Sequence, residues 1–162
     1  MSEKYKYDPM LEVSAETMRM LIREEIADEQ WSSFRGSLPE DHITITRSMI
    51  PPPLELVLEL AHQAFEQVKR APGANCDFFT DHFQDIAKMH ANANGGGYMA
   101  CGAINGHPLG WHTYHHRVGI ALTSDSGWML FDVAFASRKN PLDRKMYPIT
   151  PGDGRFNKLE MP

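Results

Sequence analysis

Apolar residues first fall into regular spacing at Met18, Leu21, Ile22 and Ile26, with Arg19, Arg23, Glu24 and Glu25 between them. That is the period of an amphipathic helix with a solvated charged face. Ser14 is its expected N-cap, and Gly36 ends the run near Phe34. Residues 1–13 carry no such pattern and read as a flexible N-terminal arm. Next, His42 to Thr46 alternates with β-branched residues, as a short strand at a sheet edge or in a connecting arm does.

Pro51-Pro52-Pro53 stops what precedes it and can start a helix, because a proline in the first turn forfeits no hydrogen bond. Leu54, Val57, Leu58, Ala61, Phe65 and Val68 then give an apolar stripe that ends around Arg70. After the Ala71-Pro72-Gly73-Ala74 turn, Asn75 is an N-cap candidate. Cys76, Phe79, Phe83, Ile86 and Ala87 follow at helical spacing, and the helix runs to about His90 before Asn92 to Gly97 opens a loop.

Beyond that loop the period changes. Tyr98 to Ile104 is a compact apolar run, His116 to Leu122 alternates, and Trp128 to Phe135 reads as a further strand. Thr123-Ser124-Asp125-Ser126-Gly127 is a tight turn, so the last two form a hairpin. Leu142 to Tyr147 adds one more strand behind Pro141, and residues 148–162, rich in proline and glycine, read as an irregular tail. Helices followed by antiparallel strands predict one α+β domain over 14–147.

Composition narrows the classes. At 162 residues and 42% hydrophobic, one domain with a proper core is expected. A net charge of -5, with pI about 5.9, argues against nucleic acid or an anionic membrane as main partner. Two cysteines make no disulfide framework, although a bridge between them is open; a reducing compartment fits better. The opening residues have no secretory h-region and no apolar run reaches membrane-spanning length. A cytoplasmic protein, or one delivered into a host cell without a classical signal, is the expectation.

Chemistry enters at Cys76. A thiol on the first turn of a helix meets unpaired backbone amides, which favour thiolate, yet a free cysteine is as readily a small core hydrophobe. His116 begins one strand of the hairpin and Asp132 comes late in the next, so antiparallel pairing brings them to one end of the sheet. If the cysteine helix docks there by its N-terminus, the three supply a nucleophile, a base and a carboxylate that orients the base. His115 competes with His116 for the base, but His116 shares a side with Val118, Ile120 and Leu122. An aspartate between Phe131 and Val133 needs a partner or a site. Cys101, in an apolar strand, reads as packing. A rival constellation is metal binding by His107, His112, His115 and His116 with His82 or His90, although no paired-cysteine or His-Glu-x-x-His pattern accompanies it; a further alternative is a non-catalytic protein-interaction domain in which the triad-like residues are structural.

The order Asn75-Cys76-Asp77-Phe78-Phe79, His116-Arg117-Val118-Gly119-Ile120-Ala121 and Leu130-Phe131-Asp132-Val133-Ala134-Phe135 resembles the papain-like superfamily of cysteine peptidases, deamidases and transglutaminases. Its motif pattern is most similar to effector proteases of the YopT and AvrPphB type. The resemblance implies a papain-like core, with the cysteine helix packed on a small antiparallel sheet. It also implies Cys76, His116 and Asp132 as a catalytic triad, a protein or peptide substrate, and no cofactor or metal. Attack by Cys76 would form an acyl-enzyme, with the Cys76 amide as first oxyanion donor and Trp111 and Tyr114 walling the cleft.

Overall fold

The computed structural model describes residues 11–31, 39–107, 116–135, 146–148 and 155–161. Helix α1 (Ala15–Glu25) begins where Ser14 accepts a hydrogen bond from the Thr17 amide, and it buries Met18 and Ile22. It stops well short of Phe34, which lies outside the described residues. The cause is local: Ile26 turns extended, and the Gln30 side-chain oxygen accepts the Ala27 amide at 3.0 Å, closing a 3-10 turn over Asp28–Gln30.

Helix α2 (Leu54–Val68) has no side-chain cap of its own behind Pro53. Asp125 replaces it from a distant turn, accepting the Leu54 amide at 2.9 Å, while the Ser124 amide donates to the Pro52 carbonyl. The buried face is Leu56, Val57, Leu60, Ala61, Ala64 and Val68, rotated from the expected stripe so that Leu54, Leu58 and Phe65 lie at its margin. Helix α3 (Cys76–Ala93) is capped by Asn75, whose side-chain oxygen accepts the Phe78 amide at 3.0 Å. It extends three residues past His90.

The strands are β1 (Ile43–Ile45), β2 (Cys101–His107), β3 (His116–Thr123), β4 (Gly127–Phe131), β5 (Met146–Pro148) and β6 (Arg155–Met161), in sheet order β1-β6-β2-β3-β4-β5. Pairing is antiparallel except between β1 and β6, so the sheet is mixed rather than purely antiparallel. Among the described residues, three α-helices against this sheet make an α+β arrangement. Both faces of its middle are covered, because α2 and α3 pack on Cys101, Ala121 and Phe131, while α1 lies over Ile104, Val118, Ile120 and Leu130. Phe83 meets Phe131 edge-on at 4.8 Å, and the Phe131 ring lies across Gly119, its partner on β3. A Cβ on Gly119 would stand 2.2 Å from that ring, so the position has no room for a side chain.

Two expectations about the ends are corrected. The tail contains β6, which lies between β1 and β2 with Phe156, Leu159 and Met161 buried. Its register shifts at Asn105/Gly106, a β-bulge that sets Phe156 and Leu159 on one side despite their three-residue spacing. At the other end Val13 is no part of a loose arm: it exchanges two backbone hydrogen bonds with Met49, at 2.7 and 2.8 Å. The strand expected over 142–147 is represented by Met146–Pro148, residues 142–145 lying outside the described set.

Candidate active site

Asp132 does not lie within a strand, as the apolar run around it predicts. β4 ends at Phe131, and a 3-10 turn, Val133–Phe135, follows. The residue itself makes this break, because its Oδ1 accepts the Ala134 amide at 3.2 Å in the manner of an Asx turn. Its other oxygen, Oδ2, stands 2.8 Å from His116 Nε2. A carboxylate only accepts, so Nε2 carries the proton and Nδ1 is the basic nitrogen of the neutral ring. The side chains are 5% and 14% exposed for histidine and aspartate, so the pair is largely withdrawn from water. Such a doubly anchored carboxylate fixes the imidazole's tautomer and orientation.

Cys76 opens α3 and is partly buried. Its thiol meets the backbone amide of Arg117, the residue after His116. The N-terminus of α3 therefore lies at the His116 end of β3. Four residues along α3, the buried Thr80 hydroxyl donates to the Arg117 carbonyl at 3.2 Å. The thiol also donates to Asp77 Oδ1 at 3.7 Å. Its pKa is raised, first by burial and then by the Asp77 carboxylate, and the Arg117 amide offsets only part of this. That reverses the expectation of an acidified thiol. The helix N-terminus is outweighed here by desolvation, so the resting sulfur carries its proton and needs a base to become a nucleophile.

Cys101 has the opposite setting. It lies in β2 across from Ala121, buried in the core, and burial alone pushes its thiol far above the ordinary range. Both cysteines are free.

No protein-family model matches this chain, and neither does any curated protein. Among the solved structures that share its fold are two neighbours that cover three quarters or more of this chain. One is the PSL1a-E64 complex, with a TM-score of 0.55 and 11% identity over 76% of this chain and 45% of that one. The other is Polyporus squamosus lectin bound to the human-type influenza-binding epitope Neu5Aca2-6Galb1-4GlcNAc, with a TM-score of 0.53 and 14% identity over 85% of this chain and 48% of that one. At such identities the likeness is one of fold, and the chain spans about half the length of either neighbour.

Of the residues singled out from sequence, His116 and Asp132 are in contact, and Cys76 lies against the residue beside His116. His115, His112, Trp111 and Tyr114 lie outside the described residues. For the metal rival, His107 ends β2, His82 Nε2 lies 2.7 Å from Gln67 Oε1, and His90 is buried in α3. Among the described residues no group of three or more His, Cys, Asp or Glu side chains is placed to hold a metal ion. Among them too, no helix is long and apolar enough to cross a membrane. Arg117, Thr80 and Asp81 belong to this site without having stood out in the sequence. One signal is present for Thr80, which falls four positions after Cys76 and so shares its helix face.

Proposed function

We propose that this chain is a papain-like cysteine hydrolase, cleaving a peptide or other amide bond through an acyl-enzyme, with Cys76, His116 and Asp132 as its triad. The observation that carries the reading is the buried 2.8 Å contact between His116 Nε2 and Asp132 Oδ2, formed one residue from the amide that meets the Cys76 thiol. Core packing alone gives no reason for a histidine and an aspartate to be withdrawn from water together at a sheet end, beside a thiol on a helix N-terminus.

In this mechanism the imidazole takes the Cys76 proton at Nδ1 as sulfur attacks the carbonyl carbon. Asp132 stabilises the imidazolium and does not itself take a proton. The oxyanion is met by the Cys76 amide, one of the unpaired donors of the first turn of α3. The imidazolium then protonates the leaving amine, releasing it and leaving a thioester. Water, deprotonated by the same imidazole, cleaves the thioester and restores the thiol. Because burial holds the thiol protonated at rest, His116 acts as a general base during attack, and the site does not rest as a thiolate–imidazolium pair.

The test uses E64, the compound in complex with one neighbour, and iodoacetamide, with the modified peptide mapped by mass spectrometry. Both alkylate thiols. Cys76 is expected to react well ahead of Cys101, and His116→Gln is expected to slow it about 10²-fold. Equal, sluggish labelling of both cysteines, indifferent to His116, would sink the proposal. The lectin neighbour, bound to its Neu5Ac-terminated epitope, favours a second reading, glycan binding. Binding to a sialylated array that survives Cys76→Ala, without His116-dependent labelling, would decide for it.

A further inference from the structure

Every polar group of Arg117 is engaged, and most of them by one helix. Its amide meets the Cys76 thiol, its carbonyl accepts the Thr80 hydroxyl at 3.2 Å, and its guanidinium donates to Asp81 Oδ1 through Nε at 3.1 Å and Nη2 at 2.9 Å. Cys76, Thr80 and Asp81 lie along the first two turns of α3. The same guanidinium reaches back into the sheet, to Asn105 Oδ1 on β2 at 2.6 Å and to Glu160 Oε2 on β6 at 3.4 Å. Glu160 is in turn paired with Lys158. The arginine side chain is only 12% exposed, whereas Asp81 is 60% exposed.

We infer that Arg117 is a positioning residue, which clamps the first two turns of α3 to β2, β3 and β6 and thereby fixes where the Cys76 sulfur stands relative to the His116–Asp132 pair. The physical reason is geometric. His116 and Arg117 are neighbours in one strand, so whatever holds α3 to Arg117 holds the nucleophile to its base. A planar fork that reaches a carboxylate on the helix and two acceptors in the sheet resists both sliding and lifting of α3, which a single point charge does not. The clamp itself stands on the hydrogen bonds to Thr80, Asp81, Asn105 and Glu160. Its bearing on catalysis rests on the hydrolase reading above.

The experiment measures iodoacetamide alkylation of Cys76 against pH in the full chain, for wild type, Arg117→Gln, Arg117→Lys and Asp81→Asn, each with and without His116→Gln. The charged and titratable groups around this region are Asp77 and Asp81 on α3, His116 and Arg117 on β3, Asp132 after β4, and Lys158 and Glu160 on β6. In Arg117→Gln, α3 is expected to lift. The thiol then loses burial, the largest cause of its raised pKa, and the midpoint moves down towards that of an ordinary thiol. The effect of His116→Gln is expected to shrink from about 10²-fold to about threefold or less, because the base no longer reaches the sulfur. Arg117→Lys, keeping the charge without the fork, is expected to fall between.

Asp81→Asn keeps the test decisive if Arg117→Gln does not fold. This surface change loosens only the α3 side and is expected to move the midpoint in the same direction by less. Wild-type midpoints and unchanged His116 dependence in all folded Arg117 and Asp81 variants would overturn the clamp while leaving the triad standing. A shifted midpoint in a protein whose labelling never depended on His116 would support the clamp and remove the triad.

Discussion

Cys76 and Cys101 are the same residue type against the same strand, and the difference between them is the difference between a candidate site and a core. Cys76 lies at the Arg117 end of β3, and Cys101 is paired with Ala121 further along it. Burial raises the pKa of both thiols. Around Cys101 burial acts alone. Around Cys76 it is opposed by an amide donor, with a histidine and a carboxylate fixed beside that donor. Burial is therefore common to both, and what sets Cys76 apart is the hydrogen-bonded histidine–carboxylate pair beside the amide it meets.

The largest effect expected from this contrast is on reactivity. Asp132→Asn retains the oxygen that accepts the Ala134 amide, so the turn after β4 should persist, but it loses the charge that stabilises the imidazolium in the proposed mechanism. Labelling or turnover at Cys76 is expected to fall by about 10²- to 10⁴-fold. Cys101, only 6% exposed and without a histidine beside it, is expected to label far more slowly, and Asp132→Asn should leave that rate unchanged. An equal change at both thiols would erase the distinction.

Phe83→Ala inverts the experiment. Phe83 is fully buried, stacked edge-on to Phe131, and belongs to the same cluster as Cys101. Removing it should cost about 3–5 kcal/mol in denaturant unfolding. Cys101 labelling is expected to accelerate, while labelling of Cys76, already partly exposed, should change far less.

Much of this contrast is legible in the chain itself. Asn75 followed by residues of helical period places Cys76 on a first turn, and the polar turn from Ser124 to Gly127 fixes the hairpin that sets His116 near Asp132. Both signals are short-range. What escapes is tertiary or irregular. Arg117 reaches partners 12, 36 and 43 residues away in sequence, a link no local window contains. β6 is hidden because its bulge at Asn105/Gly106 breaks the two-residue alternation by which a strand is recognised. The thiol's acidity is misjudged from sequence because helix position is visible there, whereas the desolvation that outweighs it is a property of packing.

Alkaline unfolding sharpens the comparison next. A thiol whose folded pKa is raised stabilises the fold fully below its unfolded pKa, near 8.5, and that contribution is lost as pH rises. Since burial raises both thiols, stability is expected to decline above about pH 8.5, with a slope approaching 1.4 kcal/mol per pH unit for each fully protonated thiol. Cys101→Ala should remove more of the decline than Cys76→Ala, because Cys101 has no amide donor opposing its shift. Equal effects in pH-dependent unfolding curves would mean that the two environments are not as different as their contacts imply.

The smallest expected effect concerns the clamp that only Cys76 has. The Glu160 carboxyl is held below its ordinary pKa, first by the hydrogen bond from Lys158 and then, against some burial, by the charges of Lys158 and Arg117. A depressed carboxylate contributes stability above its unfolded pKa, about 4.3, and loses it as pH falls through the folded value. Glu160→Gln should therefore cost about 0.2–1 kcal/mol near neutrality, a deficit that closes as pH is lowered from about 5 to 3. The Arg117 fork would keep Asp81 and Asn105, while its bond to residue 160 loses the charge that strengthens it. The same substitution should thus shift the Cys76 alkylation profile slightly downward in pH and leave Cys101 where it was. A change in stability without that shift would place Glu160 outside the clamp.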